Sequence, residues 1–405
     1  MADLVLKNAL LPNGRTADIS VFHGRISHIG AAESADCVID CHDALVIPAA
    51  CDMHVHMRDG AQSAKETWDL GTKSAVCGGV SFVVDQPNTV PLVDTVENYL
   101  ARKSLAEISA HCRFAINGYV KEGVDFAGLA KAGAPAFGEM FAAPSTNGAA
   151  LTPEVIRDCL AKIAPLQKPV TVHAEEVKEG AVHTLLEHCD ARPVSGEVAT
   201  IKLVKSLAAA GTKLHFCHLS SAQSFDAAAG CSFEVAPHHL FLSCDQADPS
   251  DTHFRMNPPL RPHKETAAMW ARFDEIPVIA SDHAPHTIDE KSAEFSAAPS
   301  GVPGVETMLP LLMNAVHEKK ISLAAVIEKT AVNPYKILGF EAPVLQTGGL
   351  ADFAVYEKAP QKITAENLHS KAGWTPYEGM AGVFPSVTVI AGSPVWYRNE
   401  ISQNK

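Results

Sequence analysis

From about Val46 to Gly339 the chain alternates short apolar runs with longer segments of helical period. The runs are VIPAACDMHVH, VSFVVDQ, HCRFAINGY, APAFGEMF, PVTVHAE, KLHFCHLS, SFEVAPHH and PVIASDH. Near-continuous apolar runs of this length suit strands covered on both faces. Between most of them lie helical stretches such as ETWDLGTKSAVC, TPEVIRDCLAKIA and SGEVATIKLVKSLAAAG. In the last, Ser195 and Glu197 are placed to open the helix, and the apolar face falls at 198, 201, 204 and 207. Strands alternating with helices predict an α/β fold with a parallel sheet, and eight such units close a TIM-type (β/α)8 barrel, with room for distortion. A doubly wound sheet is the alternative, but no GxGxxG follows the first of these strands.

The two ends have a different texture. DLVLKNALL, ADISVFHG and RISHIG near the start, and ADFAVYE and SVTVIAGSPVWY near the end, are β-rich and broken by turn residues. We expect residues 1–47 and 347–405 to build one small β domain from both termini, beside a barrel spanning 48–346. Chain termini often lie close together in this way.

Composition narrows the partners. Hydrophobic residues make up 47% and charged residues 20%, so a packed core can offset the chain entropy and broad disorder is excluded. The formal charge of −13 argues against nucleic acid, which needs a basic face. No apolar run approaches the roughly 18 residues of a membrane helix. MADLVLKNALLPNGR lacks the pattern of a secretory signal, so the expected location is cytoplasmic. The 10 cysteines form no CxxC pair and read as free thiols.

The 19 histidines change the picture, because several fall at strand ends, where a barrel of this kind does its chemistry. The first strand ends His54-Val55-His56-Met57-Arg58. Histidines at i and i+2 share a face and can reach one metal ion. The fifth strand ends at His173 and Glu175. In the sixth, His215 and His218 face opposite ways. His218, nearer the strand end, is the candidate ligand, and His215 is structural. The eighth ends Asp282-His283-Ala284-Pro285-His286, and an Asp there can bind metal and move a proton. For His238 and His239 supporting and structural roles stay open.

Taken together, HVHMR, VVDQPNT, VHAE, HFCHLSS, EVAPHH, NPPLR, SDHAPH and SGVPGVETMLPLL resemble the dihydroorotase branch of the amidohydrolase superfamily along nearly the whole chain. The resemblance implies a binuclear centre, usually zinc (Zn2+), about two ions per chain. His54, His56 and Asp282 would hold one ion, and His173 and His218 the other. The family's bridging ligand is often a carbamylated lysine on strand four. This chain has Ala136-Phe137-Gly138-Glu139-Met140-Phe141 there, with no lysine. Glu139 is the candidate bridge. A strict alignment puts Gly138 at the lysine position, so a bulge would be needed to turn Glu139 inward.

The implied reaction is the reversible closure of N-carbamoyl-L-aspartate to dihydroorotate in pyrimidine (UMP) synthesis, with Asp282 as general acid and base. Arg58 would bind the substrate carboxylate, and Asn88, Asn257 and His286 would complete the polar wall. The rivals are an allantoinase or dihydropyrimidinase-like cyclic amidohydrolase, and a non-catalytic partner of aspartate transcarbamoylase. A homodimer and association with that transcarbamoylase are further expectations.

Overall fold

The computed structural model describes residues 2–32, 34–143, 150–178, 180–357, 359–397 and 400–401. Eight parallel strands form the barrel: β1 (Ala50–Val55), β2 (Val80–Asp85), β3 (Arg113–Ile116), β4 (Phe137–Phe141), β5 (Pro169–His173), β6 (Lys213–Phe216), β7 (Ser232–Val235) and β8 (Val278–Ile279). All eight lie within the runs that the hydrophobic pattern marks. They pair as two blocks, β1–β3 and β4–β8. Single bridges, Gly118 to Phe137 and Val55 to His283, join the blocks into a ring. The barrel is therefore closed but distorted, with regular pairing lost at two seams.

Helices cover the outside. Helix α1 (Trp68–Cys77) starts at Thr67, whose side chain accepts from the Leu70 N–H, and buries Trp68, Gly71, Ala75 and Val76. Helix α2 (Val194–Leu207) starts one residue earlier than expected, after Pro193, and no side chain caps it. Ser195 is not its cap, and Glu197 is buried, accepting from the Ser220 backbone N–H at 3.1 Å. The apolar and carboxylate positions face the barrel together, so part of the polar pattern of this helix serves packing.

The first apolar run is not one strand. Leu45–Pro48 pairs antiparallel with Phe353–Tyr356 in a second sheet. Ala49 N bonds Asp352 O, whereas Ala50 N bonds Gly79 O, so the chain changes sheets between these two residues. The second sheet runs in the order Glu400–Ile401, Ser393–Tyr397, Val387–Ile390, Phe353–Tyr356, Leu45–Pro48, Ala2–Leu10, Thr16–Phe22, Arg25–Gly30. It is thus built from both ends of the chain. Its own core holds Leu4, Leu6, Ile19, Val21, Val46, Phe353, Val355, Val387 and Val389. All 10 cysteines are free. No helix among the described residues is long and apolar enough to cross a membrane.

Candidate metal centre at the barrel mouth

His54, His56, Glu139, His173, His218 and Asp282 converge where the strands end. Glu139 lies between two histidine pairs. Its Oε1 is 2.8 Å from both His173 Nδ1 and His218 Nε2. Its Oε2 is 3.8 Å from His54 Nε2 and 4.0 Å from His56 Nε2. Asp282 Oδ1 sits on the second side, 3.6 Å from His54 Nε2 and 3.2 Å from His56 Nε2. All six residues are buried. Arg58, His218 and Asp282 have φ of +50°, +33° and +47°, a left-handed backbone uncommon for non-glycine residues, which turns the chain where these side chains enter the centre.

Glu139 faces inward because strand β4 bulges. Between the pairings Phe137–Val170 and Met140–Val172, β4 carries one residue more than β5. Gly138 occupies that bulge with φ +119°. A Cβ there would lie 2.2 Å from Thr171 O and 2.5 Å from Thr171 Oγ1. Only glycine fits, so a lysine at 138 is incompatible with this backbone.

The histidines are aimed from behind. His54 Nδ1 bonds Glu234 Oε1 at 2.5 Å, which turns Nε2 toward the centre. His173 Nε2 bonds Glu175 Oε2 at 2.6 Å, which turns Nδ1 there. His56 Nδ1 bonds Asn88 Oδ1 at 2.9 Å. Asn88 thus orients an imidazole as well as lining the cavity. Glu234 also holds His215 Nε2 at 3.0 Å, which gives His215 the structural role expected of it. Burial raises the Glu175 and Glu234 pKa values. Arg192 and His173 for the first, and His54 and His215 for the second, outweigh burial and bring each to about 2. Sequence reasoning passed over both carboxylates as supports. The available signal was an acid inside an otherwise apolar strand run, at SFEV and VHAE. Asp52 is a further support: its Oδ1 accepts from Ser281 N at 3.0 Å and so fastens β1 to the turn carrying Asp282.

The centre opens on a cavity with ≈ 330 Å³ of empty space, lined by His56, Arg58, Asn88, Glu139, His173, His218, Asn257, Asp282, Ala284, Ser300 and Gly301. Arg58 is buried; burial lowers its pKa to about 10, so it stays cationic at neutral pH. Asp85 and Arg102 brace it: Asp85 accepts from Met57 N at 2.8 Å and from Arg102 Nε at 2.9 Å, and Arg102 donates to Arg58 O. Asn257 Oδ1 is also 3.1 Å from His188 Nε2. His286 departs from expectation. It is fully buried behind Arg58, 3.5 Å from Nη2, and does not line the cavity. Its Nε2 bonds Ser300 O at 3.0 Å and its Nδ1 faces Lys65 Nζ at 3.1 Å, so both nitrogens are used internally. His238 and His239 are buried, and none of their ring nitrogens has a hydrogen-bond partner among the described residues.

The donor set fits metal ions. Imidazole and carboxylate are the ligands that zinc-like ions take. His54 Nε2, aimed at two carboxylates, has no hydrogen-bond partner. His54, His56 and Glu139 form one group with ligand atoms within 4.8 Å of one another, and Glu139, His173 and His218 form another. Glu139 belongs to both. Burial raises the pKa values of Glu139 and Asp282, but the imidazoles bonded to them prevail and hold both below the ordinary carboxylate range. Two anionic ligands therefore persist at neutral pH.

Comparison with known proteins agrees with this geometry. Residues 45–393 match the amidohydrolase family. A dihydroorotase of Halobacterium salinarum is 38% identical over 98% of this chain and 97% of its own. A dihydroorotase of Archaeoglobus fulgidus is 36% identical over 93% and 92%. Among solved structures, an L-hydantoinase (dihydropyrimidinase) of Arthrobacter aurescens superposes with a TM-score of 0.93 at 25% identity, covering 99% of this chain and 98% of that one. The chain belongs to the amidohydrolase family, metal-dependent cyclic amide hydrolases, and within it to the dihydroorotase branch.

Proposed function

We propose that the protein closes N-carbamoyl-L-aspartate to dihydroorotate, reversibly, at the barrel mouth. The observation that carries this reading is Arg58. It puts a buried, braced guanidinium on the wall of a cavity that also holds the His/Asp/Glu centre. A ring bearing a carboxylate has use for that cation; a neutral hydantoin or dihydrouracil ring does not.

His54, His56 and Asp282 would hold one zinc ion, His173 and His218 a second, and Glu139 would bridge them, with no carbamylated lysine. Bound there, the ions would supply Lewis acidity toward the ring amide and make water acidic enough to react at neutral pH. The chain's own residues do the rest. Asp282 takes the proton of the attacking water in ring opening and delivers it to the leaving ring nitrogen; closure runs the same transfer backwards. Arg58 holds the carboxylate bidentately. Asn88 fixes the His56 tautomer while facing the substrate, and Asn257 closes the opposite wall. His286 acts from behind Arg58. Glu175 and Glu234 raise the basicity of the histidines they touch.

Residues 1–47 and 347–405 are proposed as the small β domain and 48–346 as the catalytic barrel. A cytoplasmic enzyme with free thiols, working as a homodimer or beside aspartate transcarbamoylase, fits this reading. The complete ligand set argues against a non-catalytic partner. The test is turnover of dihydroorotate, allantoin and dihydrouracil by zinc-loaded protein, before and after chelation. Dihydroorotate should be hydrolysed fastest, and chelation should abolish turnover until zinc is restored. Turnover unaffected by verified metal removal would exclude the mechanism.

A further inference from the structure

Away from the barrel mouth, Cys77, Glu306 and His369 meet on the wall of a separate cavity with ≈ 1120 Å³ of empty space. They come from the last residue of α1, the first turn of helix α3 (Val305–His317) and a segment between strands of the C-terminal part. Cys77 is 2% and Glu306 5% exposed. His369 Nδ1 lies 2.7 Å from Glu306 Oε1, and His369 N donates to Glu306 Oε2 at 2.8 Å. The other ring nitrogen, Nε2, faces Cys77 Sγ at 4.0 Å. One ligand-type atom from each of the three residues lies within 4.8 Å of the others. The chemistry at the barrel mouth uses none of them.

Such a row of thiol, imidazole and carboxylate has two possible uses. One is an activated nucleophile, in which the imidazole takes the thiol proton. The surroundings oppose it. Cys77 closes α1 at the helix end where the backbone dipole is negative, and that last turn carries no basic residue. Burial and the nearby Glu306 carboxylate both push the thiol pKa up. A bare thiolate is disfavoured there, whereas a cation is favoured by the same charges. Thiolate and imidazole are ligands zinc accepts, the buried Glu306 adds a countercharge, and all three residues line the cavity, which leaves room for further ligands.

We propose that Cys77, Glu306 and His369 form a second divalent-cation site, for zinc or another thiophilic ion, distinct from the barrel mouth. Without the ion, His369 Nδ1 and N both face Glu306, which leaves Nε2 turned to Cys77. The cation displaces the Cys77 thiol proton and takes the thiolate and His369 Nε2, while Glu306 stays bonded to Nδ1 and supplies the balancing charge, so one cation enters and one proton leaves.

The test uses full-length protein loaded with Co2+. A thiolate-to-cobalt charge-transfer absorption is expected in the wild type and in Cys217→Ser, and should be absent from Cys77→Ser and His369→Ala. The Cys217 control is needed because that thiol lies beside His54 and Glu234 in the barrel. Bound metal should fall by about one equivalent in Cys77→Ser, with dihydroorotate turnover kept. Should either variant fold poorly, the wild type still answers: cobalt must protect Cys77 from iodoacetamide. Equal spectra and metal content in wild type and Cys77→Ser would overturn the site. Fast alkylation of Cys77 that cobalt does not slow would overturn it too, in favour of the nucleophile.

Discussion

A carboxylate at position 139 differs from a carbamylated lysine in one measurable respect: it forms without carbon dioxide. Activity should therefore be insensitive to bicarbonate depletion. Glu139→Ala should lose at least one metal equivalent by elemental analysis, because two nearby cations repel strongly without a bridging anion. Gly138→Ala should lose metal as well, since its Cβ meets Thr171 O at 2.2 Å and the bulge cannot keep its shape. A Gly138→Ala protein with full metal content would show that the bulge is dispensable. Asp282→Asn should stay folded and lose most turnover, because an amide cannot accept the proton; near-normal rates in that variant would move the base elsewhere. The candidate ligands were legible in the sequence because each sits at or near the end of an apolar run. The inward turn of Glu139 was not. Strict alternation counts residues, and a bulge adds one with no mark other than a glycine. That His286 lies behind Arg58 was not legible for a related reason: position near Asp282 says nothing about which way a ring points after the chain turns.

At the level of elements, the candidate ligands lie in the barrel strands or just past their ends and loops form the cavity wall, so under the proposed function loop anchorage should tune substrate binding. Lys291 is fully buried and donates to Arg255 O, Pro299 O and Gly301 O at 3.0, 3.0 and 3.1 Å. Those carbonyls belong to the segments that carry Asn257 and Ser300 into the cavity. Lys291→Met removes the ammonium from three carbonyls, of which Arg255 O keeps the Gly301 N–H. The KM for dihydroorotate should rise on the order of tenfold, ~1.4 kcal/mol, with bound metal unchanged. An unchanged KM would free these loops from Lys291. The carboxylates behind the histidines make a second prediction. The Glu175 pKa falls from 4.5 to about 2 in the folded protein: burial raises it, and Arg192 and His173 more than compensate. A depressed carboxylate contributes stability above its unfolded pKa and loses it as pH falls through the folded value. Metal-free protein should therefore lose urea resistance between about pH 4.5 and about 2, and Glu175→Gln should flatten that slope. Parallel curves would remove Glu175 from the account. The eight strands could be read from the sequence since each lies in an apolar run that is mostly buried. The change of sheets at Ala49–Ala50 falls two residues past the expected 47/48 boundary, because VIPAACDMHVH is one run and only the partners differ across the break.

The whole molecule carries a formal charge of −13, yet the proposed substrates are anions. Under that proposal a local arrangement has to overcome this balance, and Arg58, braced by Arg102 and Asp85 and buried where water screens it little, is the cation that would do so. The terminal sheet and the barrel were both readable from changes in hydrophobic texture along the chain. Substrate identity was not readable from texture at all, since hydantoinase and dihydroorotase centres share one fold; it rests on a few wall residues. The most direct test of the central claim is therefore the ratio of kcat/KM for dihydroorotate to that for dihydrouracil, measured in zinc-loaded wild type and Arg58→Gln. The ratio should favour dihydroorotate in the wild type. It should fall by about 2–4 kcal/mol of transition-state binding in the variant, with metal content unchanged. A ratio near one in the wild type, or equal losses on both rings in Arg58→Gln, would contradict a site built for a carboxylate-bearing ring.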